Sequence, residues 1–403
     1  MKGKWILAAA VTLILLIVFW QSGGIDYLLS RTIFQPDYYE GADEIGDEEG
    51  AEPVAESGKY SVRELDYKVE VVAESLEIPW EIAFLPDGQI LVTERPGRVA
   101  LVNQGTVTTI LEVEHVGEGG LLGMELDPRF EENSLVYLYY TYREGAQLFN
   151  RVSRFVFKED ALQDEEVILD RIPGARFHNG GRIRFGPADL LYITTGDALK
   201  VDLAQQEDSL AGKILRIHAD GSIPEDNPFA NSPVFSYGHR NPQGLAWHPV
   251  TGQLYSSEHG PTRQDEINMI LPGENYGWPM VSCEEGPSQY QDPVVCYTEF
   301  TLAPSGMDFL ILEEIQEVPL FVAGLRGNML MRIDFDREGQ VLFQEPMFQD
   351  WGRLRSVTCH EGSLYMFTNN RDGRGVSGEG DDKIFRVTPH KGSCNEVEGT
   401  QDE

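Results

Sequence analysis

The chain has 403 residues, with 66 acidic side chains against 32 basic ones and a net charge of −34. A surface this acidic repels nucleic acid and anionic headgroups, which excludes a nucleic-acid partner. The length allows two or three average domains or one large all-β domain, and a hydrophobic content of 41% can build a sizeable core.

The chain opens with two lysines in Met1–Lys4, followed by an apolar run from Trp5 to Trp20. The run is slightly short for a spanning helix and slightly long for a signal-peptide core. With the lysines held inside, residues 1–24 read as a signal anchor that places the rest of the chain outside the cytoplasm at the cell membrane. A cleaved signal peptide, giving a secreted or periplasmic protein, is the alternative. Residues 25–57 form an acidic linker that cannot bury a core, and residues 391–403 form an acidic tail. The cysteines are Cys283, Cys296, Cys359 and Cys394. An even number in an exported chain suggests disulfides; spacing favours Cys283–Cys296 and Cys359–Cys394 among the possible pairings.

Between these ends one pattern recurs: an alternating apolar segment, a Pro/Asp/Gly turn, and a second alternating segment. The copies are WEIAFLPDGQILVTE (80–94), LLGMELDPRFEENSLVYLYYT (121–141), GRIRFGPADLLYITTGD (181–197), GLAWHPVTGQLYSSE (244–258), GMDFL with LFVAGL (306–325), and RSVTCHEGSLYMFTN (355–369). A third strand such as GRVALV, GKILRI or DKIFRV often closes the unit. Period-2 alternation between turn residues is the strand signal, and a sixfold repeat of such units is the mark of a β-propeller. Residues 58–390 are therefore expected to form an all-β, six-bladed propeller. Residues 60–73 should supply the outer strand of the last blade and close the ring. The long inserts at 142–150, 198–210, 259–264, 279–305 and 370–381 should gather on the ligand-binding face. No G-x-G-x-x-G follows a strand, so a Rossmann fold has no support.

The densest chemistry lies in residues 236–279, SYGHRNPQGLAWHPVTGQLYSSEHGPTRQDEINMILPGENYGWP. Arg240 offers a planar fork of donors, with Asn241 and Gln243 close by. Gly260-Pro261 can turn carbonyl oxygens outward, and such oxygens suit a hard cation. Elsewhere, His178 follows Arg176-Phe177 and precedes a Gly pair. Arg353 and Arg355 alternate on one expected strand and so share a face.

The run GHRNPQGLAW…EHGP…DEIN…NYGWP resembles the soluble quinoprotein sugar dehydrogenases, the glucose and aldose sugar dehydrogenases that carry pyrroloquinoline quinone (PQQ) and Ca²⁺ on a six-bladed propeller. Weaker similarity runs from about Ile78 to Val387. The resemblance implies an oxidoreductase that oxidises aldoses (or a related substrate such as sorbosone) at the C1 hydroxyl to lactones, passing electrons to an external acceptor. It implies His178 as general base and Arg240 as a catalytic cation. Glu118, Arg240, Asn241, Gln243, Arg326, Arg353 and Arg355 would be cofactor contacts. The carbonyls of Gly260 and Pro261 would be Ca²⁺ ligands, with Asp265 and Tyr276 near a second, structural Ca²⁺. Two positions depart from the family pattern. Glu118 stands where Gln is usual, and Phe177 stands where an acidic residue would orient the base. Both motivate the alternative of a non-catalytic cell-surface propeller that binds a sugar or a protein.

Overall fold

A computed structural model describes residues 67–389, apart from 103–105, 111–112, 284–285, 313–316 and 337–338, together with Cys394. The expected anchor, the acidic linker and the acidic tail lie outside the described residues, among which no helix is long and apolar enough to cross a membrane.

The described residues form six four-stranded antiparallel sheets. Strand β1 (Tyr67–Ala73) stands apart in sequence from the first blade, which holds β2 (Pro79–Phe84), β3 (Ile90–Glu94), β4 (Arg98–Leu101) and β5 (Thr106–Ile110). The second blade holds β6 (Leu121–Leu126), β7 (Leu135–Glu144), β8 (Gln147–Lys158) and β9 (Ala161–Gly174). The third holds β10 (Ile183–Gly186), β11 (Leu190–Thr195), β12 (Lys213–His218) and β13 (Val234–Tyr237). The fourth holds β14 (Pro242–Trp247), β15 (Leu254–Glu258), β16 (Asp265–Ile270) and β17 (Val295–Tyr297). The fifth holds β18 (Pro304–Phe309), β19 (Leu320–Gly324), β20 (Met329–Phe335) and β21 (Val341–Met347). The last holds β22 (Leu354–His360), β23 (Ser363–Thr368) and β24 (Ile384–Pro389). β1 pairs antiparallel with β24 as the outermost strand of that last blade. The expected ring closure by the N-terminal strand is thus borne out, as is the six-bladed propeller.

Each blade is apolar on both faces, so the core is divided into six clusters, one between each pair of neighbouring blades. Tyr137, Tyr139, Ile183 and Leu215, for example, pack between the second and third blades, joined by Trp80 of the first. The first strands of neighbouring blades come so close that some positions tolerate no side chain. A Cβ on Gly123 would lie 2.2 Å from the Gly181 carbonyl, and one on Gly306 would lie 2.7 Å from the Ser356 Cα.

Both expected disulfides, Cys283–Cys296 and Cys359–Cys394, are formed. The expected loop at 142–150 is different: it is the end of a long hairpin in which Thr141 pairs with Asn150 and Tyr142 with Phe149. The alternation of YTYREGAQLFN continues the strand pattern, and Gly145, at φ 61°, makes the turn.

Candidate active site

In every blade, the start of the first strand and the turn between the second and third strands lie at the same end of the sheet. The residues just before β6, β10, β14 and β22, and those just after β3, β11, β15 and β23, are therefore gathered on one face. Here Arg95, Glu118, Gln243, His259, Arg355 and Asp372 line a cleft of about 210 Å³, with Arg176, Phe177 and Arg374 at its rim.

His178 precedes β10. Its Nδ1 lies 2.8 Å from Asp197 Oδ1, and its backbone N–H donates to Glu118 Oε2 at 3.2 Å. Asp197 follows β11 and is fully buried. Its other oxygen accepts from Trp278 Nε1 at 2.9 Å, and the Leu199 N–H donates to Oδ1 at 2.8 Å. A carboxylate at Nδ1 fixes the tautomer with the proton on that nitrogen, which leaves Nε2 as the basic atom. The acidic orienter expected to be missing because of Phe177 is therefore present, supplied by Asp197 on the next turn of the same blade. The insert carrying Asp197 is held from below by Lys213, whose ammonium donates to the carbonyls of Leu203, Ala204 and Ala211 at 2.9, 2.9 and 2.7 Å. Burial pushes the Lys213 amine down to about 7.

Arg240 precedes β14. Its backbone N–H is held by Glu258, Nη1 donates to the His259 carbonyl at 3.0 Å, and the guanidinium lies 5.3 Å from the Trp278 ring centroid. Asn241 Oδ1 accepts from the Gly180 N–H at 3.0 Å, tying the loop of His178 to that of Arg240. On the cleft floor, Gln243 Oε1 accepts from Arg355 Nη1 at 2.9 Å and from Ser305 Oγ at 3.0 Å. Arg353 donates to Asp372 Oδ2 at 2.9 Å and to the Leu325 carbonyl at 3.2 Å.

The electrostatics are those of an anion site inside an acidic protein. Burial, helped by neighbouring Arg95, lowers Arg355 to about 9, so it stays cationic at neutral pH. Burial pushes the His259 imidazole down to about 3, leaving it neutral. Burial would raise the Glu118 carboxyl, but the neighbouring Arg374 guanidinium leads the opposing influences and the group is held at about 2. Glu118 is therefore an anion at any working pH, paired with Arg374 at 3.1 Å. Five buried polar atoms around the cleft make no hydrogen bond: Arg240 Nε, Arg353 Nε, Arg355 Nε, Asn241 Nδ2 and His259 Nε2. Unsatisfied buried donors are costly, and a bound group rich in carboxylate and carbonyl oxygens would satisfy them.

The structure thus brings together His178, Arg240, Asn241, Gln243, Glu118, Arg353 and Arg355. Arg326 sits on the β19–β20 turn with an exposed side chain and does not line the cleft. In the β15–β16 turn, the Gly260 N–H donates to Asp265 Oδ1 at 3.1 Å, while Asp265 Oδ2 accepts from the Ala303 N–H at 2.8 Å. Asp265 therefore supports the Gly260-Pro261 turn from behind. The Tyr276 hydroxyl donates to the Met269 carbonyl at 2.7 Å and accepts from the Leu271 N–H at 2.9 Å, inside the core. Among the described residues no group of three His, Cys, Asp or Glu side chains could hold a metal ion. Sequence reasoning gave no role to Arg95, Asp197, His259, Asp372, Arg374 or Trp278.

The glucose/sorbosone dehydrogenase family model matches residues 76–377. The chain belongs to that family. A Thermus thermophilus oxidoreductase described as a glucose dehydrogenase is 44% identical, with a TM-score of 0.76 over 80% of this chain and 100% of its own. The PQQ-bound form of an aldose sugar dehydrogenase from Streptomyces coelicolor is 37% identical, with a TM-score of 0.72 over 81% of this chain and 99% of its own. An aldose sugar dehydrogenase of Escherichia coli is 31% identical over 76% of this chain and 91% of its own length.

Proposed function

We propose that this family member is a PQQ- and Ca²⁺-dependent aldose dehydrogenase that oxidises the C1 hydroxyl to a lactone and passes electrons to an external acceptor. The observation that carries the proposal is the pairing of an oriented base with an anion cradle. His178 is aligned by Asp197, beside five unsatisfied buried polar atoms on Arg240, Arg353, Arg355, Asn241 and His259. A relative described as PQQ-bound supports the cofactor assignment. Arg353, Arg355 and Asn241 would hold the carboxylates and ring oxygens of the quinone, and the carbonyls of Gly260 and Pro261 suit Ca²⁺. When bound, the quinone supplies a hydride acceptor and Ca²⁺ polarises its carbonyl.

His178 accepts the hydroxyl proton at Nε2, and Asp197 stabilises the imidazolium so formed. Arg240, fixed by the His259 carbonyl and Trp278, opposes negative charge developing at the reacting oxygens. Residues 1–24 would anchor this domain outside the cytoplasm, and Asp265 and Tyr276 would flank a structural Ca²⁺. The test is dye reduction by the purified chain with an aldose, PQQ and Ca²⁺, run in parallel with His178→Gln. Turnover by the wild type and its loss, by roughly 10²–10⁴, in a variant that still binds PQQ is the expected result. A non-catalytic sugar-binding propeller would show neither turnover nor Ca²⁺-dependent quinone binding.

A further inference from the structure

The rim of the cleft holds a charge that the cofactor reading leaves unused. Arg176 and Arg374 both lie over the single ring of Phe177, with guanidinium carbons 5.2 and 5.4 Å from its centroid. Phe177 directly precedes His178 and lines the cleft with both arginines. Two cations at one aromatic ring repel each other, and among the described residues one carboxylate pairs with them: Glu118, 3.1 Å from Arg374. Among the described residues Arg176 has no acidic partner. This occurs in a chain with 66 acidic residues against 32 basic ones, in which some exposed arginines, Arg143 and Arg171 among them, are paired with carboxylates.

Position separates Arg176 from the cofactor-holding cations. Arg353 and Arg355 are buried on the floor, whereas Arg176 is exposed at the mouth. Its backbone carbonyl accepts from the Glu118 N–H at 2.8 Å, which fixes it beside the base. The ring of Phe177 pre-orders the guanidinium, so little entropy is lost when it takes up an anion.

We infer that Arg176, seated on Phe177, is a subsite for a carboxylate on the substrate, so that the preferred aldose is an acidic sugar of the hexuronic type rather than a neutral one. This rests on the dehydrogenase reading of the same site. The chemistry at C1 is unchanged. The C1–H hydrogen leaves with its electron pair to the quinone, the hydroxyl proton goes to His178, and the C1–O bond becomes the carbonyl of a lactone that keeps its remote carboxylate. Glu118, locked to Arg374, keeps the second guanidinium from competing for that carboxylate.

The test uses the chain loaded with PQQ and Ca²⁺, comparing glucuronate with glucose. Wild type should favour glucuronate in kcat/KM, and the preference should shrink between low and high salt as the charge contact is screened. Arg176→Gln should lower the ratio of the two kcat/KM values by roughly tenfold or more, the worth of one charged hydrogen bond, mainly through KM. A second readout needs no turnover: calorimetric binding of methyl glucuronide against methyl glucoside, neither of which has a free C1 hydroxyl. Tighter, salt-sensitive binding of the glucuronide that Arg176→Gln removes supports the subsite. Equal binding of both glycosides by wild type, or a ratio that the variant leaves unmoved, overturns it. A chain that oxidises glucose with no preference for glucuronate loses the subsite but keeps the dehydrogenase reading. A chain that oxidises neither sugar yet binds the glucuronide through Arg176 loses the dehydrogenase reading instead.

Discussion

Asp197→Asn is the sharpest perturbation of the proposed catalytic apparatus, because it changes charge and hydrogen-bonding sense with almost no change in shape. Asp197 accepts from His178 Nδ1 at 2.8 Å, from Trp278 Nε1 at 2.9 Å and from the Leu199 N–H at 2.8 Å. An amide at this position has one acceptor oxygen, and its NH₂ must face either Nδ1–H or the indole N–H. A hydrogen bond to a charged partner is worth about 1.5–3 kcal/mol, so losing the one at Nδ1 lowers kcat by roughly tenfold to 150-fold. KM and PQQ affinity should change little, because neither relies on this carboxylate. The decisive assay is a double-mutant cycle with His178→Gln, in steady-state dye reduction. If Asp197 acts through His178, adding Asp197→Asn to His178→Gln costs less than about threefold, since the group it orients is already gone. Loss of the same factor in both backgrounds would refute the positioning role and leave Asp197 a structural link to Trp278.

Glu118→Gln removes a carboxylate held ionised at about 2 beside the cradle; PQQ affinity should rise several-fold by direct titration, through loss of like-charge repulsion. Arg355→Ala, taken from the cleft floor where Nη1 meets Gln243 at 2.9 Å, should weaken PQQ binding by roughly 10–100-fold, a loss of about 1.5–3 kcal/mol. Gly260→Ala places a Cβ 1.6 Å from the Gln264 carbonyl oxygen, so it must distort the β15–β16 turn and abolish the Ca²⁺ dependence of PQQ binding, seen in a Ca²⁺ titration. Burial raises the Glu125 carboxyl to about 7, despite Arg184. Its folded value exceeds its unfolded one, so its contribution to stability is present at pH 4 and is lost as the pH rises through about 7. Glu125→Gln should therefore raise Tm more at pH 8 than at pH 5, and a larger gain at pH 5 would reverse that sign.

The fold was legible because a propeller repeats its own pattern: six alternating pairs of strands announced six blades, and the odd segment before the first copy had to close the last. Half of the site was legible for a related reason. His178, Arg240, Asn241, Arg353 and Arg355 sit just before or at the start of a first strand, inside conspicuous polar motifs. The other half lies on the turns after the second strands. Arg95, Asp197 and His259 directly follow VTE, TTG and SSE, and Asp372 lies three residues past FTN, all in turns where an isolated polar residue looks like ordinary turn chemistry. Aligning the copies by blade places Asp197 beside His178, whereas reading along the chain puts an absent acid at Phe177. The 142–150 segment reads as a loop because its length exceeds a hairpin turn, although its alternation already extends β7 and β8. Arg326 shows the converse limit: sequence places it on the right face of the ring but cannot say that its side chain leaves the cleft.

One measurement reaches the central claim directly: the absorption spectrum of the purified chain titrated with PQQ and Ca²⁺, followed by addition of an aldose without any acceptor. The account predicts saturable, Ca²⁺-dependent binding at one equivalent of PQQ, then conversion of the bound quinone to its reduced spectrum by the sugar. His178→Gln should bind in the same way and be reduced roughly 10²–10⁴ times more slowly. Saturable binding that no sugar converts would leave a cradle without a dehydrogenase, and an unperturbed quinone spectrum would contradict the cradle itself.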